Sequence, residues 1–554
     1  MKKKLITKFL LVIIAVMMLV PGCDKKEKDK GVASNGLDGK PENIYDQYDT
    51  SDYALTLRNK TDKSAKEGTF YEIFVRSFAD SDGDGIGDLN GITQKLDYLS
   101  ELGINGIWLM PINSSPSYHG YDVTDYYSIN GDYGTEEDFQ KLLDEAHKRG
   151  IKVIMDFVIN HTSSQHPWFV SACEGDDSKY RNYYRWVTKD DSVDYAGGDI
   201  SPWGDPVWRS AGKAFYYGIF SDSMPDLNYN NPDVREEVKS AAGKWLKMGI
   251  DGFRLDAAIH IYGNNEFKQM DSQTDANIQW WNEFASYCET INKEVYLVGE
   301  AWQNNNAFAE YAQPFDTKFD FTFEQNMIYA VNEGKSVTQE GVDLASSLQT
   351  IVEEYAKYDS NFLDGVFATN HDQPRLMSQV DSKEKSELAA AIYMTLGGNP
   401  FIYYGEELGM YGEGEDPYKR TPYIWTADGS GMDATWIDSS QNEDVAPLSE
   451  QIKDDNSIYN FYKDIIAVRK AHEALTDGNY QAVSMKDSSL LAYQRESDNE
   501  KLLVIHNLSK KAITVDVTEN NANSMVYAHG DNTSLDGNSA VVGSHGTIIV
   551  DITK

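Results

Sequence analysis

The strongest constraint on this chain's fold is a rhythm: short apolar runs alternate with stretches of helical periodicity, in one repeated order. The runs are Phe70 to Phe78, Gly106 to Pro111, Val153 to Val158, Gly252 to Asp256, Val295 to Glu300, Phe319 to Phe323, Gly365 to Asn370 and Phe401 to Tyr404. Their near-continuous hydrophobicity suits parallel strands covered on both faces. Between them lie helical patterns such as Glu136 to Arg149, with Phe139, Leu142, Leu143 and Ala146 on one face, and Pro232 to Met248, which opens with a proline in its first turn. A sandwich or an all-helical fold does not repeat this way, whereas eight such units predict an α/β fold, the (β/α)8 TIM barrel. Two departures from even spacing predict further domains. The connection from Thr162 to about Met224 is rich in Trp, Tyr, Asp and Gly and follows the third strand, and the tail from about Gly478 carries alternating runs such as Leu502 to Ile505 and Thr547 to Ile552. The expected layout is a barrel over 67–161 and 225–475, an inserted domain over 162–224, and a C-terminal antiparallel β-sandwich over 476–554.

Ahead of the barrel, Lys2, Lys3, Lys4 and Lys8 precede an apolar run from Phe9 to Val20, too short to span a bilayer and typical of a secretory signal. The run ends in Val20-Pro21-Gly22-Cys23, which resembles the lipobox of bacterial lipoproteins, although Pro21 is an unusual occupant. Residues 1–22 then form a lipoprotein signal peptide, Cys23 takes the lipid, and 23–66, dense in Lys, Asp, Gly and Ser, is a solvated tether. An ordinary cleaved signal is the alternative. Cys173 and Cys288 alone make no disulfide framework. The expected location is the cell surface, anchored to the membrane through lipid alone.

Fifty Lys and Arg against 88 Asp and Glu give a net charge of -38, which repels nucleic acid and anionic lipid surfaces. A neutral glycan meets no such repulsion, and an aromatic content of 12% suits sugars, whose C–H faces stack on rings. A monomer is the expected state.

Polar residues gather where the predicted strands end, the rim at which barrel enzymes place their active sites. The third strand ends Asp156-Phe157-Val158-Ile159-Asn160-His161, and the fourth runs Gly252-Phe253-Arg254-Leu255-Asp256-Ala257-Ala258-Ile259-His260. The fifth ends Gly299-Glu300-Ala301-Trp302 and the seventh Asn370-His371-Asp372. Gly120-Tyr121-Asp122, Met224-Pro225-Asp226-Leu227-Asn228 and Gly398-Asn399-Pro400 complete the set. Any single carboxylate here could be a helix cap or an arginine's partner. Together and in order, these segments resemble the α-amylase superfamily, glycoside hydrolase family 13, from about Thr69 to Lys554.

The resemblance implies a division of labour. Cleaving a glycosidic bond with retention needs a carboxylate nucleophile and a protonated carboxyl about 5 to 5.5 Å apart. Asp256 corresponds to the nucleophile, with Arg254 holding it ionised, and Glu300 to the general acid/base. Asp372 would bind sugar hydroxyls and favour the distorted ring. His161 and His371 match histidines that hydrogen-bond the same sugar, and Tyr121 the tyrosine that stacks beneath it. His119 either touches substrate or stabilises its turn, and His260 is retained as in α-amylases.

One cation site is expected, for Ca²⁺, and a second stays open. In Asp80-Ser81-Asp82-Gly83-Asp84-Gly85-Ile86-Gly87-Asp88, side-chain oxygens at alternate positions and the carbonyl of Ile86 can wrap a hard cation. This segment resembles the calcium loop of oligo-1,6-glucosidases; Gly91 stands where an EF-hand needs its bidentate Glu. By the same resemblance Asn160, Asp226 and the carbonyl of His260 either bind a second calcium or hydrogen-bond the domain junction. The pair Trp280-Trp281 reads as one core and one surface residue of a helix.

The function implied is retaining endo-hydrolysis of α-1,4 bonds in starch, glycogen and maltooligosaccharides. An exo-acting α-glucosidase or oligo-1,6-glucosidase is the alternative, as the calcium loop suggests. Ala257 speaks against it, since relatives that cut α-1,6 bonds usually carry Val there. Ile259 departs from the usual Lys, which bears on leaving-group contacts. A neopullulanase, whose group usually has Lys where Asp226 stands, a transglycosylase and a non-catalytic glucan-binding surface protein are the remaining alternatives, and the intact Arg254, Asp256, Glu300 and Asp372 oppose the last.

Overall fold

Eight parallel strands close into a barrel in the computed structural model: β1 Phe70–Ile73, β2 Gly106–Leu109, β3 Lys152–Phe157, β4 Gly252–Leu255, β5 Tyr296–Gly299, β6 Thr317–Phe319, β7 Leu363–Phe367 and β8 Asn399–Tyr403. The structure describes residues 66–188, 200–263, 272–302, 309–520 and 522–554, together with Arg58, Lys60 and Lys63. The predicted signal peptide and Cys23 lie outside these residues. Each strand pairs with its sequence neighbours, and β1 closes the ring on β8 through Phe70 and Phe401.

Because strand side chains alternate, one set fills the barrel interior: Phe70, Trp108, Ile154, Tyr296, Val298, Phe319, Phe367 and Phe401 form one cluster. Glycines make room for these rings; a Cβ on Gly106 would lie 2.3 Å from the ring of Phe70. The same alternation carries polar side chains inward nearer the C-terminal rim, where Glu72, Asp156 and Arg254 follow Phe70, Ile154 and Gly252 by two residues. The strands' other face packs on surrounding helices. The helix Glu136–Lys148 buries Phe139, Leu142, Leu143 and Ala146, as its periodicity predicts, and starts in a capping box between Thr135 and Asp138. Helix Pro232–Met248 has the bounds read from the sequence, with Asn231 as its cap.

Three expectations need correction. The sixth strand ends at Phe319, because Asp320 accepts a hydrogen bond from Phe323 N and caps the helix Phe321–Glu333. Trp280 and Trp281 are both buried, since their helix is enclosed on both sides, Trp281 packing on Phe315 and Trp280 on Tyr229. The tether also ends earlier than Lys66. Arg58 is buried and reaches Asp316 (2.9 Å), Glu289 (2.6 Å) and the carbonyls of Pro314 and Val295, and Lys66 meets the other oxygen of Asp316 at 2.7 Å. Burial alone would raise Asp316, but Arg58, Lys66 and Lys60 outweigh it and hold its carboxyl low.

The connection after β3 contains the helix Pro167–Ala172 and a three-stranded antiparallel sheet of Trp186–Thr188, Ala214–Tyr217 and Trp208–Ala211. The tail forms two antiparallel sheets, one of five strands and one of three. Alternation again decides the packing: Leu490, Ala492, Leu503, Ile505, Ile548 and Val550 face the smaller sheet's Val515, Ala540 and Val542, while Leu491, Tyr493, Leu502, Val504 and Ile549 join the main core. Among the described residues, Cys173 and Cys288 are free, and no helix is long and apolar enough to cross a membrane.

Candidate active site

Arg254 is the hub of the rim. Its Nη1 donates to Asp256 at 2.7 Å and to both oxygens of Asp156 at 2.9 and 3.0 Å, and its Nη2 lies 3.0 Å from Glu300. Three buried carboxyls thus surround one positive charge. Burial pushes all three upward while Arg254 pulls them down, and Asp156 settles at about 7. Asp156 is sealed beneath the cleft, whereas Asp256 and Glu300 line it. Glu300 is further fixed by the backbone N–H of Ala257, which donates to Oε2 at 3.0 Å; Ala257 sits at φ 49°, in the left-handed region.

A second network starts at Glu72 in β1. His371 Nδ1 donates to Glu72 at 2.5 Å, and His371 Nε2 lies 3.0 Å from Asp372 and 2.6 Å from the Tyr121 hydroxyl. That hydroxyl donates to Asp156 at 3.0 Å, which joins the two networks. Burial opposes the charge on His371, but Asp372 and Glu72 raise it to about 9. Asp372 is half-buried on the cleft wall, and His371 and Arg420 hold its carboxyl well below the usual carboxylate range. Arg420 meets Asp372 at 3.0 Å, and Lys419 takes the Asp372 carbonyl at 2.8 Å.

Asp256, Glu300 and Asp372 line one cleft of about 450 Å³ together with Tyr121, His119, His161, Ala257, Ile259 and His260. His161 Nε2 donates to the carbonyl of Tyr121, and burial lowers both His161 and His260 to about 4, so both are neutral at pH 7. His119 accepts the N–H of Tyr121 at 3.1 Å, which stabilises its turn, and also lines the cleft. Trp203 of the inserted segment and Trp302 after β5 are 58% and 45% exposed on the walls, a large apolar presentation for a soluble surface. Trp302 stacks on Phe321 with centroids 4.6 Å apart.

The two candidate cation sites differ. Asp80, Asp82 and Asp88 bring one carboxylate oxygen each within 4.8 Å of one another, an all-oxygen donor set that fits a hard cation. Asp84 stands outside that group and accepts the N–H of Ile86, and Asp88 also caps the helix Leu89–Leu102 through Gly91 N. At the junction, Asn160, Asp226 and His260 do not fit calcium. Arg185, fully buried, places its Nη2 3.3 Å from Asp226, and Ile219 N donates to the other oxygen at 3.1 Å. The guanidinium occupies one side of the Asp226 carboxylate and would repel a second cation there, although burial still leaves that carboxyl raised to about 7. The Asn160 side chain hydrogen-bonds Asp226 and lies beside His161, while its Oδ1 stays without a hydrogen-bond partner.

Sequence reasoning gave no role to Glu72, Asp156, Arg420 or Arg185. A charge inside an apolar strand run marked the first two, at Glu72 between Tyr71 and Ile73 and at Asp156 between Met155 and Phe157. Arg420 and Arg185 approach their partners from distant loops and left no local signal.

With this geometry, known families can be compared. The family model described as alpha amylase, catalytic domain, matches residues 72–478, well over half of the chain. The chain belongs to the α-amylase family. It is therefore a glycoside hydrolase. A second model, the alpha-amylase SusG C-terminal domain, matches residues 490–549, the two-sheet tail. Alpha-amylase 3 of Dictyoglomus thermophilum is 43% identical over 492 residues, 88% of this chain and 93% of its own. The crystal structure of the α-amylase from H. orenii superposes with a TM-score of 0.80 at 41% identity, covering 88% of this chain and 99% of that one. Oligo-1,6-glucosidase of Parageobacillus thermoglucosidasius is 32% identical, over 80% of this chain and 90% of its own.

Proposed function

We propose that this member of the family hydrolyses internal α-1,4 bonds of starch-like glucans with retention. The observation that carries the chemistry is Arg254 joined through one nitrogen to Asp256 and through the other to Glu300. Asp256 attacks the anomeric carbon, and Glu300, which burial favours in its protonated form, gives its proton to the leaving oxygen. Water then attacks the glycosyl-enzyme, its proton returning to Glu300. Asp372, held anionic by His371 and Arg420, accepts hydrogen bonds from sugar hydroxyls and strengthens them as positive charge grows on the ring.

Endo action is favoured by the two exposed tryptophans, which offer stacking surfaces on the cleft walls for sugars beyond the cleavage point. Ala257 leaves the wall beside Asp256 small. Oligo-1,6-glucosidase action is the second reading, favoured by the Asp80–Asp88 loop and the 32% identical relative of that name. Transglycosylation uses the same intermediate, with a sugar as acceptor. Asp80, Asp82 and Asp88 would hold a structural Ca²⁺ that ties the loop after β1 to the barrel. Cys23 would carry a lipid that keeps the enzyme at the cell surface.

Loss of iodine staining, followed against release of reducing ends from soluble starch, tests the mode of cleavage. Early loss of staining with products of a few glucose units, and little action on isomaltose, is the expected result. Glucose appearing first while staining persists would replace this reading with the exo one.

A further inference from the structure

Glu72 touches no cleft-lining surface, yet it is 1% exposed, its carboxyl embedded at the top of β1 in the barrel interior. A carboxylate costs several kcal/mol to bury there unless it is engaged. Its hydrogen-bonding partner is His371 Nδ1 at 2.5 Å. The opposite nitrogen of the same ring reaches both Asp372 and Tyr121. An imidazole held at Nδ1 by a carboxylate has its ring plane fixed and its second nitrogen aimed. The ring of Tyr121 stacks parallel to it, with centroids 5.5 Å apart and planes 12° from each other.

We propose that Glu72 is a positioning residue for the hydrolytic reaction: it anchors His371 so that Nε2 donates toward Asp372 and Tyr121, and thereby sets the sugar-binding carboxylate. The assignment of Asp372 rests on the function proposed above; the Glu72–His371 coupling does not. The groups facing this pair come from every neighbouring strand. They are Asp372 after β7, Tyr121 after β2, Asp156 in β3, Arg254 and Asp256 at β4, Tyr403 in β8, and Arg420, whose Nε takes the His371 carbonyl at 3.0 Å. With Glu72 present, a proton on each nitrogen satisfies both sides of the ring, in keeping with the raised His371. Without its charge, Nδ1 has no anion and the ring releases a proton at lower pH.

The test uses the full chain with 13Cε1-labelled histidine, the His371 signal being assigned by its absence in His371→Gln. In Glu72→Gln the His371 titration is expected to move down by at least one pH unit. kcat/KM on a maltooligosaccharide should gain an alkaline limb at the same midpoint, falling about tenfold per pH unit beyond it. Glu72→Asp, which keeps the charge at shorter reach, should titrate between the two, and also serves if the Gln variant does not fold. An unmoved His371 titration would overturn the coupling. A moved titration with kcat/KM merely scaled at every pH would overturn the positioning role. A wild-type enzyme inert on glucans would reject the proposed function while leaving the titration to decide the coupling.

Discussion

The guanidinium of Arg185 lies 3.3 Å from the carboxylate of Asp226, with both side chains at most 1% exposed. This pair sits beside the antiparallel bridges His161 with Asp226 and Tyr184 with Leu227, which tie the inserted segment to the barrel. Arg185 also lies over the ring of Tyr217 at 3.8 Å, so its planar cation is stacked as well as paired. The junction therefore carries its own fixed positive charge.

Calcium content follows from that pair. One Ca²⁺ per chain is expected, at the Asp80 loop, and none at the junction. Calcium titration of chelated protein should saturate at one site and raise the melting temperature, because a ligand bound only by the folded state stabilises it. Asp82→Asn with Asp88→Asn should remove that response, whereas Asn160→Ala should leave it intact. Two bound ions, or a response lost in Asn160→Ala, would restore the junction site.

Asp256→Asn and Glu300→Gln should each lower kcat by at least about a thousandfold, since each removes one half of the two-carboxyl mechanism. Both changes keep shape and hydrogen-bonding capacity beside Arg254, so circular dichroism and melting should show a folded protein. A folded variant with more than a tenth of the wild-type rate would mean that the roles are misassigned.

Trp203 tests whether the cleft holds a long chain. Its ring is 5.2 Å from Phe220 and 6.1 Å from His260, at the edge of the cleft rather than at the carboxyls. Trp203→Ala should raise KM for maltooligosaccharides by about five- to thirtyfold, a loss of roughly 1–2 kcal/mol of stacking. The rate on a short aryl glycoside should change less than about threefold. Equal losses on both substrates would place Trp203 in the support of the inserted segment instead.

The barrel was legible because its strands are buried on both faces and read as apolar runs, and the rim because local segments carry Asp256, Glu300 and Asp372 at strand ends. The errors have local physical causes. Phe319, Phe321 and Phe323 alternate as a strand would, but the Asp320 side chain serves better as a helix cap, and the chain turns there. Trp280 and Trp281 cannot be assigned a face from the sequence, because their helix leaves only a narrow stripe through Asp275, Glu283, Ser286 and Thr290 toward the surface and buries both rings beside it. Asn160 and Asp226 could serve either a metal or a hydrogen-bonded junction. The deciding residue, Arg185, comes from the inserted segment and meets them only in three dimensions. Likewise Arg58 lies in a stretch with the composition of a tether, and the partners that hold it, Asp316 and Glu289 among them, are more than 200 residues away in sequence.

Stability should fall as pH rises from about 6.5 to 9. His371 is raised to about 9 in the folded chain by Asp372 and Glu72, against burial, whereas an unfolded histidine titrates near 6.5. Its contribution is fully present below 6.5 and disappears as pH climbs through about 9, a change on the order of 1–3 kcal/mol. Buried carboxyls act in the same direction over a lower window. Asp226 and Glu406 are raised to about 7, chiefly by burial, so the folded chain holds their protons where the unfolded chain has released them. Asp372 acts oppositely: its depressed carboxyl stabilises above the ordinary aspartate value, and that contribution is lost only on acidification. Melting temperatures measured between pH 6 and 9 in a calcium-saturated buffer should therefore decline, and His371→Gln should flatten the slope above pH 6.5. A wild-type curve that is level over this range, or a variant with the same slope, would show that the folded chain does not hold His371 protonated.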